Sequence, residues 1–231
     1  LVLPEGITKI EYAAFKGCSG IKFLKLPSSI VSYDQYAFSD CGGIKEAYID
    51  CPTVTDLRAL SGIRDVFFGE NVKTIKFNAF YNCKNLGSIT ISKNVATIES
   101  SAFSSCSGLA SVLSYAKYIN LDYNAFYGIS SEATLTYPAG YDYSAWKGYF
   151  SNVVADNLLY LQIMLEDTQA LLDTSIEGAH YGSYLPGTKQ ELQALVDELN
   201  SKLEDESTDD EQAKSYVEQL KAGIDKFNSQ I

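Results

Sequence analysis

One octet recurs through the first two thirds of the chain. AFKGCSGI begins at Ala14, AFSDCGGI at Ala37, AFYNCKNL at Ala79, AFSSCSGL at Ala102 and AFYGISSE at Ala125. The phenylalanines Phe15, Phe38, Phe80, Phe103 and Phe126 are separated by 23, 42, 23 and 23 residues. The interval of 42 conceals a sixth copy, DLRALSGI at 56–63, in which Leu57 takes the phenylalanine place and Leu60 the cysteine place, dividing 42 into 19 and 23. One unit is therefore four residues short. A fixed period of this length is the signature of a solenoid: each copy is too small to bury its own apolar face, and stacking copies creates one continuous core.

Each unit closes on a short stretch that alternates in polarity, such as FLKLP at 23–27 or SITIS at 88–92. A period of two marks a β-strand. The inward positions are then Leu24/Leu26, Ala47/Ile49, Val66/Phe68, Ile89/Ile91 and Leu135/Tyr137. One strand per turn, spaced about 4.8 Å apart, predicts a parallel sheet roughly 30 Å long over seven strand positions. After the strand comes a column of Pro4, Pro27, Asp50, Gly69, Ser92, Tyr115 and Pro138, followed in most copies by apolar residues three and six places on, as in Ile30/Tyr33 and Val95/Ile98. The four missing residues lie between that column and the phenylalanine column. The short coil should therefore be flattened on its far side while its strand stays in register.

These residues resemble the BspA-like leucine-rich repeats of bacterial surface proteins, whose unit runs as an apolar strand, Pro, two spaced aliphatics and Ala-Phe-x-x-Cys-x-x-Leu. The stretch YPAGYDYSAWKGYFSNVV resembles that family's closing turn, with Trp146, Tyr149 and Phe150 covering the last coil. The resemblance implies an α/β fold class: a leucine-rich-repeat solenoid over 1–155 with one parallel β-strand per 23-residue coil. Because Leu1 falls inside a repeat, more repeats are expected to precede it.

From about Asp156 the apolar period changes from two to 3.6, which marks a second, all-α domain over 156–231. Helices are expected at about 157–175, 189–203 and 213–227, forming a three-helix bundle. Thr188 with Glu191, and Thr208 with Glu211, have the spacing of capping boxes. Helix order and the stretch YLPGTKQELQALVDELNSKL are similar to the FIVAR-like three-helix modules of bacterial surface proteins.

Charge narrows the choice of partner. Residues 1–155 hold 13 Lys+Arg and 13 Asp+Glu, and residues 156–231 hold 5 and 16, so the net charge of −11 lies in the last third. With no basic cluster to neutralise phosphates, nucleic acid is excluded as a partner class. No apolar run is long enough to span a membrane. Cys18, Cys41, Cys83 and Cys106 share a column with Leu60 and Ile129, so that position should be apolar and inward and its thiols free. Cys51 lies off the column. No zinc spacing, serine elbow or phosphate-cradling glycine loop occurs, and no cofactor or metal is expected. The acidic run EDESTDDE at 204–211 does not follow the order of an EF-hand loop and reads as a helix junction. The single histidine, His180, lies in a loop with Tyr181 and Tyr184, a secondary candidate for a small sugar or protein contact, against which stands the plainer reading of an ordered interhelical loop with aromatic anchors.

Strand alternation also assigns the outward rows. One reads Val2, Lys25, Tyr48, Phe67, Thr90, Leu113 and Thr136; its companion reads Phe23, Glu46, Asp65, Ser88, Ser111 and Thr134. Phe23, Tyr48 and Phe67 form an aromatic patch rimmed by Lys25, Arg64, Asp65 and Glu46. Aromatics rimmed by charge suit a partner-binding surface; the plainer reading of the same rows is a cross-strand ladder that only stiffens the sheet. The family resemblance implies a non-enzymatic protein of the bacterial surface or exterior that binds a protein partner, such as one of the host extracellular matrix. A glycan-binding or accessory module of a polysaccharide-handling system, or a structural spacer, are the alternatives.

Overall fold

The alternating stretches are strands, and the spaced aliphatics between them are short strands as well. The computed structural model describes residues 1–178, 183–205 and 207–230. In chain order its strands are β1 (Lys9–Ile10), β2 (Phe23–Leu26), β3 (Ser32–Tyr33), β4 (Glu46–Ile49), β5 (Thr53–Val54), β6 (Asp65–Phe68), β7 (Thr74–Ile75), β8 (Ser88–Ile91), β9 (Thr97–Ile98), β10 (Ser111–Ser114), β11 (Asn120–Leu121), β12 (Thr134–Pro138) and β13 (Asn152–Asp156). Helices α1 (Asn157–Thr174), α2 (Thr188–Leu203) and α3 (Asp210–Asn228) follow. The chain divides into two units, one comprising Leu1–Tyr137 and Tyr141–Val154, the other Pro138–Gly140 and the residues from Ala155 onward.

In the first unit seven strands form one sheet in the order β13-β12-β10-β8-β6-β4-β2. From β2 to β12 every pairing is parallel. Leu24, Ala47, Val66, Ile89, Val112 and Leu135 face one another across successive strands, and all are buried. The 19-residue step falls between Glu46 and Asp65, yet those residues pair directly. The short coil thus keeps its strand in step, as its sequence requires.

On a second side, β1 pairs with β3, and β5, β7, β9 and β11 form a separate four-stranded ladder. The break lies between β3 and β5, where the four residues are missing. There the hydroxyl of Tyr33 accepts the Thr55 N–H at 2.7 Å, substituting for the carbonyl that takes the matching amide elsewhere, as Val54 O does for Lys76 N at 2.8 Å. An amide left without a partner in this half-buried setting would cost about 1–3 kcal/mol.

The third side carries the repeated octets. The N–H groups of Phe15, Leu57, Phe80 and Phe103 donate to the carbonyls of Ala37, Ala79, Ala102 and Ala125 in the next coil, at 2.8–2.9 Å. Inside, Phe80, Phe103 and Phe126 stack with centroid separations of 5.4 and 5.1 Å, and Phe15 stacks on Phe38 at 5.5 Å. Two residues beyond the phenylalanine the backbone turns through positive φ at Gly17, Asp40, Asn82, Ser105 and Gly128, which explains the small or polar residues there. Three places further on, a Cβ on Gly43 would run into the Ser19 carbonyl of the coil beneath. Trp146 and Phe150 close the stack, 5.2 and 5.4 Å from Phe126 and both buried. Tyr143 secures this turn, its hydroxyl donating to Ala116 O at 2.6 Å.

Cys41, Cys51, Cys83 and Cys106 are free and buried. Cys41 and Cys106 donate to the carbonyls of Phe15 and Phe80, 26 residues earlier. Cys18 departs from the expected inward placement and is exposed; among the described residues no coil stacks on that side of it, so nothing here buries its thiol as Phe15 O and Phe80 O cover those of Cys41 and Cys106.

In the second unit each helix packs against the other two, around Leu161, Leu165, Leu172, Val196, Leu199, Val217 and Leu220. Neither expected capping box forms. For α3 the box is Asp209 with Gln212, one residue later than Thr208 with Glu211, and the Thr208 hydroxyl donates instead to Lys202 O at 2.7 Å. For α2 the N-cap is Gly187 at φ 89°. Thr188 turns back to donate to Leu185 O, and Glu191 pairs with Lys226.

Candidate functional site: the outer face of the strand sheet

Strand geometry sends alternate side chains to opposite faces, so the parallel register decides which outward residues are neighbours. Lys25, Tyr48, Phe67 and Thr90 face one another on successive strands, as do Phe23, Glu46, Asp65 and Ser88. Val2 extends the first row through a bridge to Lys25.

Within this face the aromatics differ in exposure. Phe67 is 41% exposed and Val2 62%, whereas Phe23, Lys25 and Tyr48 are half-buried. The Lys25 ammonium lies 5.3 Å from the centre of the Tyr48 ring, a cation–π contact. At its other end the Tyr48 hydroxyl and the Asp50 carboxylate occupy the space over Gly69, where any Cβ would meet both. That accounts for glycine at Gly69 in a column whose other members, Pro4, Pro27, Asp50, Ser92, Tyr115 and Pro138, all carry a Cβ. Asp50 is fixed by accepting the Asn71 N–H and side-chain amide, each at 3.0 Å. Burial, with Asp50 and Glu70 nearby, pushes the Tyr48 phenol up, so it stays a neutral hydroxyl.

Charge rims the patch. Arg64 and Glu46 are exposed, and Asp65 accepts a hydrogen bond from Ser88 at 2.5 Å. The face therefore presents one open aromatic ring, one ring under a cation, and charges of both signs. That arrangement can anchor a partner and set its orientation.

Of the loop candidates, His180 and Tyr181 lie outside the described residues. Tyr184 is half-buried, its ring stacked on Phe227 at 3.9 Å, and its backbone is bonded to Ile176 and Gly178. It is an anchor of the helical unit's core. Within the acidic run, Asp209 caps α3, Asp205 accepts the Ser207 N–H at 3.0 Å, and Asp210 accepts the Asn157 N–H at the start of α1 at 2.7 Å. Among the described residues no three His, Cys, Asp or Glu side chains gather as metal ligands, and no helix is long and apolar enough to cross a membrane. Burial pushes the thiols of Cys51, Cys83 and Cys106 up to about 12, which keeps them protonated and poorly nucleophilic.

One feature escaped the sequence reading. A groove of about 490 Å³ lies over the short coil, between Tyr36 and Tyr81. The four-residue deletion signals the flattened coil beneath it but not the tyrosines that wall it.

Comparison with known proteins agrees with this architecture. The family model for the BspA type leucine rich repeat region matches in six copies over residues 1–61 and 58–153. The curated proteins contain no match. Among crystal structures, a leucine-rich repeat protein from Bacteroides ovatus is similar, with TM-score 0.54 and 20% identity, over 67% of this chain and 40% of that one. A leucine-rich repeat protein from Eubacterium ventriosum gives TM-score 0.49 and 25% identity, over 55% and 36%. A leucine rich cell surface protein from Faecalibacterium prausnitzii gives TM-score 0.42 and 23% identity, over 66% and 35%. The first of these shares the fold. The chain spans two fifths or less of the length of each.

Proposed function

Because the chain belongs to the BspA-type leucine-rich repeat family of bacterial proteins, we propose that it is a non-enzymatic protein of the cell surface or exterior that binds a protein partner, such as one of the host extracellular matrix. The contact is made by the outer strand face, through Phe23, Lys25, Tyr48, Arg64 and Phe67. The observation that carries this reading is the register that sets Lys25, Tyr48 and Phe67 side by side with Phe67 open to solvent. A large ring at the centre of a charged rim is the composition of an interface anchor. Surface location rests on the family alone.

The test separates an anchor from a stiffening ladder. The wild-type chain and the variants Tyr48→Ser and Phe67→Ser are compared for binding to immobilised extracellular-matrix proteins and for melting temperature. Phe67→Ser should weaken binding by about tenfold or more, in the range of an interface anchor, and leave melting almost unchanged. Lost stability with unchanged binding would assign the rings to the ladder.

A further inference from the structure

The groove over the short coil belongs to a different side of the solenoid from the strand face. Its floor is the 19-residue coil, with Asp56, Arg58 and Ala59; its walls come from the full-length coils on either side, Tyr36 and Ser39 from one, Tyr81 and Asn82 from the other. A coil shortened by four residues recedes, and the flanking coils then stand on both sides of it. Two strand spacings set those walls roughly 10 Å apart, which admits a flat ring and excludes a helix about 10–12 Å across.

We propose that this groove is a binding site for a neutral saccharide, free or carried on a glycoconjugate. The walls supply two aromatic rings, Tyr36 51% and Tyr81 41% exposed, against which the C–H faces of a sugar can pack. Hydroxyls and an amide at Ser39 and Asn82 offer the mixed donors and acceptors that sugar hydroxyls need. The floor is already organised: Asp56 holds the Arg58 backbone N–H at 3.0 Å and grips its guanidinium through Nε at 2.9 Å and through Nη2. A guanidinium carries more N–H groups than one carboxylate can take, so Arg58 keeps donors for a ligand.

The Tyr36 wall is fixed as well, its N–H held by Asp34 at 2.8 Å and its ring edge-on to Tyr12 at 5.9 Å. Preorganised walls lower the ordering cost of binding. Arg58 and Asp56 compensate one another and are the only charges in the lining, which favours an uncharged sugar over a sialylated or phosphorylated one. None of the lining residues belongs to a strand, so an extended peptide finds no sheet edge to join.

The test applies the full chain to a printed array of neutral and sialylated oligosaccharides, followed by calorimetry with the brightest neutral one. Neutral glycans should be preferred. Tyr36→Ala and Tyr81→Ala should each weaken binding by about tenfold, as loss of one stacking wall implies, and Ala59→Leu, which fills the floor without removing packed atoms, should do the same. Phe67→Ser on the strand face should bind the oligosaccharide as the wild type does, whatever it does to a protein partner. No neutral glycan bound, binding that survives the double tyrosine variant and Ala59→Leu, or preferred capture of proline-rich peptides by the same tyrosines would each overturn the proposal.

Discussion

At the scale of single residues, what holds the solenoid is a set of columns in which each side chain is covered by its counterpart in the next coil. Phe80, Phe103 and Phe126 are each fully or almost fully buried, and each ring pair contributes about 0.5–1.5 kcal/mol beyond its burial. The buried cysteines, those of the column and Cys51 beside it, follow the same rule, and they make a pH prediction. The thiols of Cys51, Cys83 and Cys106 are pushed from an ordinary 9.0 to about 12 by burial. Below about pH 9 they are protonated in both folded and unfolded chains, and their contribution is fully present. Between about 9 and about 12 the unfolded chain releases protons that the folded chain retains, so stability falls by up to about 1.4 kcal/mol per pH unit per thiol. Urea midpoints should be flat from about pH 6 to about pH 8 and drop by about pH 10, and the triple variant Cys51→Ala, Cys83→Ala, Cys106→Ala should lose most of that drop. An equal drop in the triple variant would show that the thiols are not the cause.

At the scale of elements, the α3 cap is the sharpest case of a local pattern that fits twice. The stretch TDDEQ contains both Thr208-x-x-Glu211 and Asp209-x-x-Gln212; the second forms, the Asp209 carboxylate accepting the Gln212 N–H at 2.8 Å, while the Thr208 hydroxyl is turned toward Lys202 O. Asp209→Ala should lower the stability of the helical transition by about 1 kcal/mol, read as a shift in urea midpoint by circular dichroism, while Glu211→Ala should leave it nearly unchanged. The reverse order would restore the earlier box. This distinction shows what a sequence holds and what it leaves open. Strand alternation gave both outward rows residue by residue, down to Lys25 beside Tyr48 beside Phe67, because the period of two and the 23-residue repeat leave no freedom of register. The column argument placed Cys41, Cys83 and Cys106 but not Cys18, since equivalence between coils speaks only for a coil stacked on both sides. The deletion announced a flattened coil. It could not announce the groove, whose walls are surface tyrosines that no hydrophobic pattern constrains.

At the scale of the whole molecule, the two units divide the labour of charge and shape. The repeat region is balanced, with 13 Lys+Arg and 13 Asp+Glu, and offers faces built of rings and hydroxyls, whereas the helical region carries the net charge. Both proposed surfaces depend on one structural claim, that successive copies stack as adjacent turns in chain order with the short coil in register. Distances between spin labels on the outward row measure it most directly. In a background with the native cysteines replaced, label pairs at Phe67 and Leu113, Phe67 and Thr136, and Lys25 and Thr136 span two, three and five strand steps, and only the last crosses the short coil. The account predicts backbone separations of about 10, 14 and 24 Å, growing in proportion to the number of steps. Separations that fail to grow with the steps, or a pair across the short coil that falls off the line set by the others, would contradict it.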